Sequence, residues 1–293
     1  MVTFTRLLTA LLTLATSTLA LPTNNATSST RGSVDLVCGA DSPPRSGLPK
    51  SDEARLAPSF VLAVPATRVI NVYWNVIHKN NTYNGGYLSS AQVNSAISAL
   101  NSQFSGSGIT FQRSALKYTK NAQWFDNVDN EGNIQFATAM KNKLHVGTAK
   151  ALNVYSVGFT FSDLGAFATF PWWYTDAPKL DGVVFKWNTT PGGSLINYNQ
   201  GKILTHEVGH WAGLYHTFQG GCSDSKGDYV SDTPAEASAA KGCPVNRDSC
   251  PNLAGRDPIR NHMDYTYDTC KTNPFTKGQI ARMKQAMQVY RAN

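Results

Sequence analysis

Residues 205–217 read T-H-E-V-G-H-W-A-G-L-Y-H-T, and the rest of the chain is organised around them. His206 and His210 stand four positions apart, which places both imidazoles on one face of a helix, able to point at a common ion. Glu207 sits beside them, within reach of a water on that ion. Gly213 follows His210 by three residues, where a left-handed glycine ends a helix. The chain then turns, and His216 arrives from outside the helix as a third ligand. Three neutral imidazoles and one water form a tetrahedral zinc site with an open position, the reactive kind of site. The rival reading, an amphipathic helix with surface histidines, leaves three of the six histidines bunched within eleven residues without a reason.

A second stretch, 261–265 (N-H-M-D-Y), lies about 50 residues downstream. Together the two resemble the metzincin superfamily of zinc metallopeptidases, whose signature is H-E-x-x-H-x-x-G-x-x-H followed by a methionine turn. The text between them sharpens the match: H-T-F-Q-G-G-C (216–222), S-D-T-P-A-E (231–236) and G-C-P (242–244) resemble the pappalysin family in its secreted fungal and microbial branch. The resemblance covers about residues 66–291.

The resemblance implies a metzincin-type α/β (α+β) fold: a mixed, mostly parallel twisted sheet, an active-site helix, and a loop-rich C-terminal subdomain stapled by disulfides. It implies His206, His210 and His216 as zinc ligands, Met263 as an apolar floor beneath the metal, and Tyr265 helping Glu207 by stabilising an oxyanion. The expected reaction is endopeptidase cleavage: Glu207 takes a proton from a zinc-activated water and delivers it to the leaving amine. A non-enzymatic binding protein that kept the metal would be expected to have lost Glu207, which is present. A zincin of another clan would replace the third histidine by a distant glutamate, and His216 stands at its proper offset.

Cysteine arithmetic leaves three pairings open for Cys222, Cys243, Cys250 and Cys270. The resemblance favours Cys222–Cys250 and Cys243–Cys270. It also suggests calcium at Asp224, Asp228 and Asp232, where the alternative is a solvated acidic turn. The resemblance implies that the methionine turn leads into the wall of the pocket for the residue after the scissile bond. Asp268, five residues beyond Met263, is read either as the floor of that pocket, selecting Arg or Lys there, or as a solvated loop aspartate.

The 293 residues, 41% of them hydrophobic, suffice for a core. The net charge of +7 is scattered, without the clustered basic face that nucleic acid requires. Residues 1–20 read as a signal peptide: Arg6, an apolar stretch over 7–19 too short to span a membrane, and a small-x-small cleavage site at 18–20. This implies a secreted protein meeting an oxidising environment, not a membrane protein. Asn25, Asn80 and Asn188 begin N-x-Ser/Thr sequons. Residues 21–65 read as a propeptide or flexible leader and hold the odd cysteine, Cys38. It is either an incidental leader cysteine or a latency device, since a thiolate can take the open metal position.

Residues 66–293 then form the catalytic domain, an N-terminal α/β subdomain to about 216 and a C-terminal one over 217–293. Strands are expected over 69–77, 109–118, 152–159 and 181–187, and helices over 88–104, 131–145 and 275–290, with the metal-site helix starting near 199 or 200. The stretch 164–173 (L-G-A-F-A-T-F-P-W-W) holds a glycine and a proline, which argue for an edge strand. By the resemblance it lines the cleft and binds extended substrate. A monomer acting on protein or peptide substrates is expected. A single catalytic domain favours broad proteolysis, for nutrient acquisition or virulence, over a narrow regulatory role.

Overall fold

A six-stranded sheet in the order β1-β5-β6-β4-β2-β3 carries the molecule. Its strands are β1 (Val37–Cys38), β2 (Arg68–His78), β3 (Ile109–Lys120), β4 (Ala151–Val157), β5 (Leu164–Ala168) and β6 (Val183–Lys186). The computed structural model describes residues 36–39, 56, 67–223 and 227–292. The signal-peptide reading, nearly all of the leader, the Asn25 sequon and Asp224 lie outside them. The described residues belong to one unit, 35–293.

β3, β2, β4 and β6 run parallel, and β5 is antiparallel to β6. Parallel strands need crossovers, and α1 (Ser90–Gln103), α3 (Ile134–Leu144) and shorter pieces supply them. All seven residues of β4 are buried, as expected of a central strand covered on both faces.

One face carries Ile70, Val72, Trp74 and Val76 of β2 against Val93, Ile97 and Leu100 of α1 and Leu204, Val208 and Trp211 of α4 (Lys202–Trp211). The other packs Ile77, Tyr155, Val157 and Val184 against Phe125, Met140 and Leu144. Each fully buried side chain of this size contributes roughly 1.5–3 kcal/mol. The metal-site helix therefore rests on the sheet through Leu204, Val208 and Trp211, which turns its opposite face to the cleft.

Most element boundaries fall within two residues of the sequence expectation. α3 begins at Ile134, where the expected helix began at 131, and α4 begins at Lys202, where the start was expected near 199 or 200, because Gly201 adopts a left-handed conformation with φ 78°. The short helix α2 (Ala122–Asn127), capped by the Asn121 side chain, has too few residues to show a period. The stretch 164–173 divides into β5 and a 3-10 turn at Pro171–Trp173. Phe167, Phe170 and Trp172 are buried.

After His216 the chain is irregular until α5 (Lys277–Tyr290). Two disulfides join Cys222 to Cys250 and Cys243 to Cys270, the pairing that the resemblance implies.

Candidate metal centre and cleft

The metal-site helix ends through Gly213. Its φ of 108° lets the Gly213 N–H donate to His210 O (2.8 Å) and the Leu214 N–H to Gly209 O (2.9 Å). A side chain at Gly213 would also bring its Cβ to 2.6 Å from Ala286 Cβ on α5. This turn brings His216 back to the helix. Its Nε2 lies 3.1 Å from Nε2 of both His206 and His210, and those two are 3.1 Å apart.

Nδ1–H of His206 donates to His262 O and Nδ1–H of His210 to Leu214 O, both at 2.7 Å. Each bond fixes the tautomer that leaves Nε2 as an acceptor. Burial, then the neighbouring His210, holds the His206 imidazole well below its ordinary pKa, in the neutral form a metal ligand requires. Three nitrogens on one tetrahedral zinc at ~2.05 Å would lie about 3.3 Å apart. The observed triangle and its donor set fit that ion.

Glu207 is 1% exposed and lines a small cavity with His206, Tyr265 and Cys38. Met263 is fully buried beneath the helix, its sulfur 2.4 Å from where a Cβ on Gly209 would stand. Asn261 Oδ1 accepts from Met263 N–H (2.9 Å), and Thr217 N–H donates to Met263 O (3.2 Å), so the methionine turn is tied to the residue after His216. Tyr265 is half-buried, its ring 4.9 Å from that of His216, and its hydroxyl donates to Cys38 O at 3.2 Å.

Cys38 is buried, and its Sγ joins the three imidazoles in a group whose ligand atoms all lie within 4.8 Å of one another. Its short strand β1 pairs with β5 and runs parallel to it, Val37 opposite Leu164 and Cys38 opposite Ala166. β5 is thus the sheet's edge apart from these leader residues.

Other expected site residues have structural partners. Asp232 caps α5, accepting from Thr276 Oγ1 (2.6 Å) and Gly278 N–H (2.9 Å). Asp228 accepts from Thr233 Oγ1 and Val230 N–H. Asp224, the third residue of the expected calcium group, lies outside the described residues, among which the one potential metal-holding group is Cys38, His206, His210 and His216. Asn80 is exposed and Asn188 half-buried. Asp268 is fully buried, its Oδ2 accepting from Gln200 N–H at 2.8 Å, and it does not line the cavity beside His206. Lys271, from the same loop, does.

Three groups escaped sequence reasoning. Arg291 at the end of α5 pairs with Asp181 through both nitrogens (2.9 and 3.0 Å), donates to Trp211 O (3.0 Å), and lies 3.7 Å over the Trp211 ring. Glu236, within S-D-T-P-A-E, accepts from Thr217 Oγ1 and pairs with Arg247, which it shares with Asp257. Burial and the nearby Asp264 push the Glu236 carboxyl up. Lys271 is the third. A one-turn motif in the sequence signals none of them.

The family model described as Pregnancy-associated plasma protein-A (peptidase M43) matches residues 144–288. An extracellular metalloprotease of Sordaria macrospora is 44% identical over 264 residues, covering 87% of this chain and 89% of that protein. One of Neurospora crassa is 43% identical over 264 residues, with the same coverage. Among solved structures, mature mirolysin of Tannerella forsythia in complex with a cleaved peptide matches with a TM-score of 0.60 and 28% identity, over 76% of this chain and 96% of that one. A promirolysin variant matches with a TM-score of 0.62 and 28% identity, over 78% and 84%. With the H-E-x-x-H-x-x-G-x-x-H ligand set, the methionine turn and these relatives, the chain belongs to the peptidase M43 (pappalysin) family of metzincin metalloproteases.

Proposed function

We propose that this metalloprotease is a secreted zinc-dependent endopeptidase of broad extracellular proteolysis, serving nutrition or virulence and held latent by its leader. The observation that carries this reading is the 3.1 Å triangle of His206, His210 and His216 Nε2 atoms beside buried Glu207. Bound there, zinc supplies Lewis acidity for a scissile carbonyl and for a water. Glu207 takes the proton of the attacking water and carries it to the leaving amine. Tyr265 Oη donates to the oxyanion, as it now donates to the carbonyl of Cys38. β5 holds extended substrate through its main chain, a mode indifferent to side-chain identity that supports broad action. Phe170, with its ring 5.3 Å from His210, helps to keep water out.

Chelation tests the reading. Removing the metal should abolish digestion of denatured protein, and one equivalent of zinc should restore it. Digestion that survives exhaustive removal would overturn the mechanism.

In the precursor, Cys38 Sγ lies with the three imidazoles, where it would hold the metal as a fourth ligand in place of the water. A Cys38→Ser precursor should therefore digest protein before its leader is cut, where the parent is silent. An equally silent variant would show that the thiol is not a ligand. The protein is expected to act as a glycosylated monomer on proteins and peptides, with neither nucleic acid nor membrane as partner. Among the described residues no helix is long and apolar enough to cross a membrane.

A further inference from the structure

Leu56 lies within the stretch read from the sequence as leader, yet it is 8% exposed. It is buried in a cluster with Phe170, Trp172 and Ala286, against which Tyr215 and Tyr290 pack and which also includes Cys38. Phe170 and Trp172 follow β5, and Ala286 belongs to α5, so Leu56 is packed among residues of the catalytic domain.

The cluster supports two of the three expected metal ligands. Phe170 stacks on Trp172, with ring centroids 4.7 Å apart, and its ring stands 5.3 Å from that of His210. Ala286 and Trp172 lie against Gly213, where an added Cβ would come within 2.6 and 3.7 Å of them. Arg282 Nε donates to Gly213 O (2.9 Å), and its guanidinium lies 5.0 Å over the Tyr215 ring. The turn that delivers His216 is thus held by the cluster in which Leu56 is buried.

Composition changes at the same residue. Positions 40–55 carry six charged residues, whereas 56–66 (L-A-P-S-F-V-L-A-V-P-A) carry none. The first composition suits a segment that departs into water, the second a chain that stays packed. If Leu56 left, Phe170 and Trp172, only 5% and 6% exposed with it in place, would join an open apolar face beside His210. We infer that Leu56 is a positioning residue of the metal site, part of the catalytic domain rather than of the departing leader, so that the active enzyme begins after Cys38 and no later than Leu56. The departure of Cys38 rests on the latency reading above; the packing of Leu56 does not. The domain start read from the sequence at 66 accordingly moves ahead of Leu56.

Two experiments on the full chain test this. N-terminal sequencing of the enzyme that digests protein should find a start after Cys38 and no later than Leu56; an active enzyme that starts beyond Leu56 would overturn the inference. The second experiment reads the metal without turnover. In a Cys38→Ser chain, which leaves the three imidazoles to hold zinc, Leu56→Ala should weaken zinc about tenfold in competition with a chelating dye. It should also lower the unfolding midpoint by about 5 °C. Leu56→Met, close to leucine in volume, should restore both. Leu56→Val is a smaller deletion that should fall between them, and it gives the reading if the alanine variant does not fold. A midpoint that falls while zinc affinity stays unchanged would make Leu56 a packing residue only and overturn its positioning role. A precursor that digests protein with its leader uncut would sink the latency reading, and zinc affinity would still decide the role of Leu56.

Discussion

A Glu207→Gln enzyme is expected to lose about 10³-fold in kcat while keeping its metal. Glutamine matches the size of glutamate and keeps a hydrogen-bonding head, but it neither takes up a proton nor gives one to the leaving amine. Glu207 stands outside the group of Cys38 and three imidazoles, so the metal loses no ligand. The side chain is 1% exposed, so bulk water cannot easily replace it as a base. Metal content by atomic absorption and steady-state hydrolysis of a peptide settle both halves. A rate within tenfold of the parent would place the base elsewhere, whereas loss of metal along with rate would make Glu207 a structural support of the site.

The second large effect is expected far from the cleft. Arg291→Ala removes the guanidinium that pairs with Asp181, a carboxylate 1% exposed in the intact protein, whose other side-chain donors among the described residues are Trp211 Nε1 and Thr169 Oγ1. Stranding one partner of a buried pair costs about 3–5 kcal/mol, a large part of a typical domain's 5–15 kcal/mol. Arg291 also donates to Trp211 O at the end of α4, so its loss frees the turn that delivers His216. The unfolding midpoint in denaturant, followed by tryptophan fluorescence, should fall steeply, and zinc affinity should fall with it. Lysine at 291 should not rescue, because an ammonium group cannot meet Asp181 with two parallel bonds and stack on Trp211 as well. A loss below about 1 kcal/mol would show that the pair adds little beyond its own desolvation cost.

The leader reaches the same centre by another route. Cys38 is separated from His206 by the whole first half of the domain, yet its sulfur lies among the imidazoles because β1 pairs with β5. On the proposed latency reading, removing the leader would uncover the main-chain edge of β5 and take Cys38 from the three imidazoles together.

The sequence by itself determined the metal-site helix, its three histidines and Glu207, the methionine turn, and most strands and helices. Their signals are local: a four-residue spacing, a glycine stop, runs dense in β-branched and aromatic residues. Such patterns hold whatever the rest of the chain does. Pairings between distant residues are not written in this way. Nothing near Arg291 announces Asp181, 110 residues away, or the Trp211 ring that it covers. Asp232 caps a helix that begins about 45 residues later, a partner that the local acidic cluster does not announce. Asp268 and Lys271 look equivalent as loop charges, but only the disulfide-held turn decides that the lysine lines the cavity and the aspartate is enclosed. Which charge meets which is set by the packing of the whole sheet and its two covering layers, since a buried charge persists only where a partner arrives from elsewhere in the chain.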